Sequence, residues 1–184
     1  TYLIRYPSEV TKASYPVIFF FHGAGGDGQG WLSNRPEVEN LIDQENFIGI
    51  FPDGFENRWN VGTETNADDV EFVTLIVNEL SSIELFNVEN IYAIGSSNGA
   101  GLANKIGKET AIFKGIAPLI SQQTEEIGAI VPSSPMSVFQ VGGTEDGLVP
   151  INGGNGVAGH IFMSAAESAE NWASSFNCNM DPTS

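Results

Sequence analysis

Apolar residues in this chain fall into short, dense blocks. Val17-Ile18-Phe19-Phe20-Phe21 is an unbroken apolar run, as a strand covered on both faces requires. Comparable runs are Phe47-Ile48-Gly49-Ile50-Phe51, Ile91-Tyr92-Ala93-Ile94, Gly115-Ile116-Ala117 and Ser137-Val138-Phe139-Gln140-Val141. The pattern between them changes period. Val70, Val73, Val77 and Leu80 recur at spacings of three and four, and Asp68 and Asp69 stand where a helix N-terminus favours carboxylates. Ala165, Ala169, Trp172, Ala173 and Phe176 form a second helical stripe. Strands alternating with helices predict an α/β fold built on a mostly parallel central sheet flanked by helices. Tyr2 to Tyr6 is expected to add an antiparallel edge strand, and the Gly-dense stretch 152–159 to be a surface loop.

The 184 residues fit a single domain, 1–184, with no internal repeat and no Pro- or Ser-rich linker. Twenty-three acidic residues against seven basic ones give a formal charge of −16. Such a surface repels nucleic acid and anionic membranes, so neither is expected as a partner. No apolar run approaches the roughly 18 residues of a membrane span. No basic stretch followed by an apolar segment opens the chain, and Thr1 stands where Met would, which suggests a mature or trimmed form. Cys178 is the single cysteine: a buried small side chain, a free thiol, or half of a bridge whose other half is missing.

Three segments carry candidate chemistry. In Ile91-Tyr92-Ala93-Ile94-Gly95-Ser96-Ser97-Asn98-Gly99-Ala100-Gly101 a buried strand runs into Gly-x-Ser-x-Gly and then into small residues that open a helix. That is the pattern of a nucleophile elbow centred on Ser97. A serine on a strained strand-to-helix turn exposes its Oγ beside helix N-terminal amides, and a side chain at either flanking glycine would strike backbone. Phe21-His22-Gly23-Ala24-Gly25-Gly26 supplies a Gly-rich loop able to bring a second amide to the serine. Ala24, with Gly23 and Gly25 as alternatives, and Asn98 are the expected oxyanion donors. His22 is read as a structural histidine fixing that loop. Val141-Gly142-Gly143-Thr144-Glu145-Asp146 ends a strand in a turn carrying an acid, so Asp146, with Glu145 as the alternative, is expected at the carboxyl edge of the sheet to orient an imidazole.

Taken together these residues resemble the α/β-hydrolase branch that includes polyhydroxybutyrate depolymerases, feruloyl esterases and acetyl xylan esterases. The matching stretches are His22-Gly23, Phe51-Pro52-Asp53-Gly54, Trp59-Asn60, Asp68-Asp69-Val70-x-Phe72, Gly95-x-Ser97-Asn98-Gly99, Gly143-Thr144-x-Asp146-x-x-Val149-Pro150, and Trp172-Ala173 with Cys178. The resemblance implies a secreted or periplasmic serine carboxylesterase that works through an acyl-enzyme without cofactor or metal. Its substrate would be a small or oligomeric ester carrying a short-chain, hydroxycinnamoyl or hydroxyalkanoate group. Hydrolases of this fold run Ser, acid, His along the chain. After Asp146 the only histidine is His160, whereas in the family the triad histidine follows the segment resembling Trp172 to Cys178. The expectation is a chain truncated or processed at its C-terminus, with a C-terminal fragment of the same protein supplying the histidine and a partner for Cys178. His160 as a substitute base, or an inactive binding protein that lost the histidine, are the alternatives, and peptidase or acyltransferase chemistry on the same fold is a third. Trp59 and Phe55, on the loop after Phe51, are expected to line an acyl or alcohol pocket.

Overall fold

The computed structural model describes residues 1–62 and 64–179. Their core is one six-stranded sheet in the order β1-β3-β2-β4-β5-β6. The strands are β1 (Tyr2–Arg5), β2 (Tyr15–Phe21), β3 (Ile48–Pro52), β4 (Phe86–Ser96), β5 (Gly115–Leu119) and β6 (Ser137–Val138). β1 runs antiparallel to β3 at the edge, and every other pairing is parallel. Mostly parallel strands joined by helical crossovers are what the alternating pattern required.

The unbroken apolar runs are explained by the sheet being covered on both faces. Along β2, Val17, Phe19 and Phe21 join one buried cluster while Phe20, between them, joins another. The period of two thus sends neighbours to opposite faces, and both faces need apolar side chains. The first cluster is closed by α3 (Asp69–Leu80) through Val73, Ile76 and Leu80, by α4 (Asn98–Glu109) through Leu102, Ala103 and Ile106, and by Trp172 of α6 (Ala165–Ser175). The second is closed by Trp31 and Leu32 of α1 (Gly28–Ser33) and Ile42 of α2 (Pro36–Asp43). Asp68 caps α3, accepting from the Glu71 amide at 2.9 Å, and Ser164 with Glu167 forms a complete capping box at α6.

Two local expectations are refined. The run 137–141 is laddered only at Ser137–Val138, with a single further bridge from Val141 to Leu119. It is an edge strand paired on one side, so Phe139 is left exposed. Stretch 152–159 is not wholly irregular: β7 (Gly154–Asn155) pairs antiparallel with β8 (Ile161–Phe162) around a 3₁₀ turn at Val157–Gly159. A two-residue ladder is too short to leave a periodic signature. The short helices α1, α2 and α5 (Glu125–Gly128) likewise carry no long apolar stripe.

Candidate active site

β4 ends at Ser96 and α4 begins at Asn98, so Ser97 alone makes the turn between them. Its backbone lies at φ 54° and ψ −118°, a region that L-residues rarely adopt. The flanking glycines are required by contact. A Cβ on Gly95 would run into the Gly99 carbonyl, and one on Gly99 into the carbonyls of Phe21 and His22. The latter contact seats the start of α4 against the end of β2, beside the Gly-rich loop. The Ser97 amide is spent on the Leu119 carbonyl at 3.0 Å, and its carbonyl accepts from Ala100 and Gly101. The turn is therefore tied to β5 on one side and to its own helix on the other.

Among the described residues the amides of Ala24 and Asn98 have no hydrogen-bond acceptor, and both residues line a pocket with Ser97. Unpartnered amides at a helix N-terminus and in an adjacent loop are what an oxyanion needs. The loop is braced from below. Gly54 N–H donates to His22 Nε2 at 3.0 Å, which leaves Nδ1 as the protonated nitrogen, 2.8 Å from the Gly23 carbonyl. Gly25 N–H reaches the Asn57 carbonyl at 2.7 Å, and Asp53 Oδ1 accepts from Gly28 N–H at 2.9 Å. His22 is buried and fully engaged, in keeping with a structural role. The Asn98 side chain clamps the Trp59 backbone in both directions, accepting from its N–H at 2.7 Å and donating to its carbonyl at 3.0 Å.

The pocket has a volume of about 460 Å³ and is walled largely by Val61, Leu148, Val149, Val157 and Phe162. Trp59 and Phe55, expected in that wall, are not part of it. Trp59 is fully buried beneath the loop, its indole N–H on the His22 carbonyl at 2.8 Å and its ring against Phe21 and His22. Phe55 is exposed. Both follow a strand at the correct sheet edge, but the Asn98 clamp turns the loop so that Val61 and Arg58 reach the pocket instead.

Asp146 sits past the end of the Leu119–Val141 bridge, on a loop whose Leu148 and Val149 line the Ser97 pocket. One carboxylate oxygen accepts from both the Val149 and Leu148 amides, at 2.9 and 2.8 Å, and these bonds hold its pKa below the ordinary carboxylate value. Glu145 is exposed. Neither histidine of the chain bonds to Asp146 or to the Ser97 hydroxyl. His160 lies in the pocket wall with its Nε2 2.6 Å from Glu64 Oε1. Glu64 also accepts from the Val61 and Gly62 amides. Burial pushes the Glu64 carboxyl up, but the bonds from His160 and Gly62 outweigh it and leave the pKa lowered. This pair had no signal in the sequence, because 96 positions separate its members. Among the described residues no three of His, Cys, Asp or Glu converge to hold a metal ion, and no helix is long and apolar enough to cross a membrane. Cys178 is an exposed free thiol.

A mostly parallel sheet flanked by helices, with a serine on a strained strand-to-helix elbow, defines the α/β-hydrolase fold, and solved structures agree. The crystal structure of a thermostable esterase superposes with a TM-score of 0.63 over 95% of this chain and 46% of that one, at 19% identity. In sequence the chain is related to esterases. It is 30% identical to feruloyl esterase B of Piromyces equi over 98% of its own length, and 24% identical to a probable feruloyl esterase C of Aspergillus clavatus over 85%. It spans 36% and 58% of the length of these two relatives. No protein-family model matches the chain.

Proposed function

We propose that the protein is a serine carboxylesterase with Ser97 as nucleophile, acting on small or oligomeric esters. One observation carries this reading: Ser97 is held on a strained turn, in a pocket it shares with the unpartnered amides of Ala24 and Asn98. Ser97 Oγ attacks the ester carbonyl while an imidazole takes its proton, the two amides hold the oxyanion, and the alcohol leaves. Water then attacks the acyl-enzyme by the same route. Asp146 orients the imidazole. We propose that the imidazole lies on a C-terminal segment beyond residue 184, since His22 is held in the loop, His160 pairs with Glu64 rather than Asp146, and the relatives are longer than the stretch they share with this chain. The kinship to feruloyl esterases supports a hydroxycinnamoyl substrate, and a secreted or periplasmic location is proposed with it.

Ser97→Ala should abolish turnover of a p-nitrophenyl short-chain ester by the complete enzyme, and retained turnover would end the idea. If the imidazole comes from a further segment, residues 1–184 alone should be nearly inactive and regain activity when that segment is added. The mass of the intact purified protein shows whether such a segment is present. A protein that binds esters but resists fluorophosphonate labelling would instead be a binding protein on the same fold.

A further inference from the structure

The mechanism makes no use of the Glu64–His160 pair, although it stands in the wall of the Ser97 pocket. The side chains are only 10% and 12% exposed, whereas most acids of this chain lie at the surface. Burying a carboxylate is costly unless its oxygens are satisfied, and here three donors satisfy it: His160 Nε2 at 2.6 Å, Gly62 N–H at 2.8 Å and Val61 N–H at 3.0 Å. Gly62 leaves the imidazole its room, since a Cβ there would lie 3.1 Å from His160 Cε1.

The chemistry of the ring follows from that bond. A carboxylate accepts only, so the neutral imidazole carries its proton on Nε2 and keeps a lone pair on Nδ1. Nδ1 has no partner among the described residues. The surroundings select what can meet it. Glu64 lies on one side, and Glu125 and Glu126 line an adjoining cavity of about 250 Å³ that shares His160, Thr124 and Ala158 with the main pocket. Three carboxylates outnumber the one cation of the pocket wall, Arg58, and disfavour an anionic group beside the ring, while the free lone pair favours a hydroxyl donor. The rest of the wall is largely aliphatic with Phe162, interrupted by the polar Arg58, Asn98, Ser121 and Thr124, and 460 Å³ would be left mostly empty by an acetyl group.

Resting on the reading of Ser97 above, we propose that His160, oriented by Glu64, is a specificity-determining residue of this pocket. It accepts a hydrogen bond from the free hydroxyl of a phenolic acyl group. A site built around such an acceptor rejects the analogue whose hydroxyl is absent or blocked.

The test is equilibrium binding to the complete protein carrying Ser97→Ala, which removes turnover. The ligands are methyl 4-hydroxycinnamate and methyl 4-methoxycinnamate. The free phenol should bind about 5- to 10-fold tighter, a ratio set by one neutral hydrogen bond. Adding His160→Phe should bring the ratio to within about twofold of unity, and Glu64→Gln should lower it by freeing the ring. His160→Gln, which restores an acceptor, should recover part of the preference and serves if the Phe variant does not fold. Equal affinity for the two esters, no measurable binding of either, or a ratio indifferent to His160 would overturn the proposal. Any of these results can occur while ester turnover still depends on Ser97, so the two readings fail separately.

Discussion

The elbow stores strain at a single residue, and two substitutions at Ser97 expose it. Both Ser97→Ala and Ser97→Gly remove the hydroxyl, which makes no hydrogen bond within the described residues, so neither loses a tertiary contact of the oxygen. They differ in the Cβ. At φ 54° and ψ −118° a residue bearing a Cβ is held at a cost of about 1–3 kcal/mol, and glycine adopts the same backbone without it. Glycine's greater freedom in the unfolded chain offsets about 0.5–1 kcal/mol of that gain. The Gly variant should therefore be more stable than the Ala variant by about 0.5–2 kcal/mol, which in a domain of this size raises Tm by roughly 1–8 °C. Thermal and urea unfolding of the two inactive proteins measure the difference directly. Equal stability, or Ala above Gly, would refute the claim that the turn is strained, and with it the physical basis for placing the nucleophile there.

Other perturbations address separate parts of the structure. Gly99→Ala drives a Cβ into two backbone carbonyls at the end of β2 and should lower stability by about 1–3 kcal/mol, with activity lost even under conditions where the protein stays folded. Asp146→Asn keeps an oxygen that can accept from the Leu148 and Val149 amides, so melting should hardly change while kcat of the complete enzyme falls by about 10²–10⁴-fold; a loss of folding would mark the residue as structural. Burial lowers the Lys108 ammonium from 10.5 to about 8, with its Nζ 2.6 Å from Asn171 and 4.3 Å from the Trp172 ring centre. Below pH 8 folded and unfolded chains both carry the proton and the cost of the buried charge is felt in full. Between 8 and 10.5 the unfolded chain binds more protons, so stability rises with pH. Relative to Lys108→Met, the wild-type protein should gain stability from pH 8 to pH 10, as read from urea midpoints, and a constant or falling difference would contradict this.

Where the chemistry is local in the chain, the sequence by itself was sufficient. Four of the five apolar runs, the α3 and α6 stripes and the Gly-x-Ser-x-Gly turn each depend on residues a few positions apart. Their periods and steric demands can be read without knowing the fold. The same holds for the Gly-rich loop, where Gly25 takes a positive φ of 79° that favours glycine.

The tertiary structure decided which side chains face one another. Trp59 and Phe55 occupy the loop the sequence indicated, yet the Asn98 clamp, 39 positions away from Trp59, turns one inward and leaves the other in solvent. Glu64 carried no signal at all until folding set it 2.6 Å from His160 across 96 positions. Side-chain pairing across loops depends on how the loops are anchored, and those anchors are a few hydrogen bonds between distant residues. Periodicity records which face of an element is buried, but it carries no information about which distant residue will lie against it.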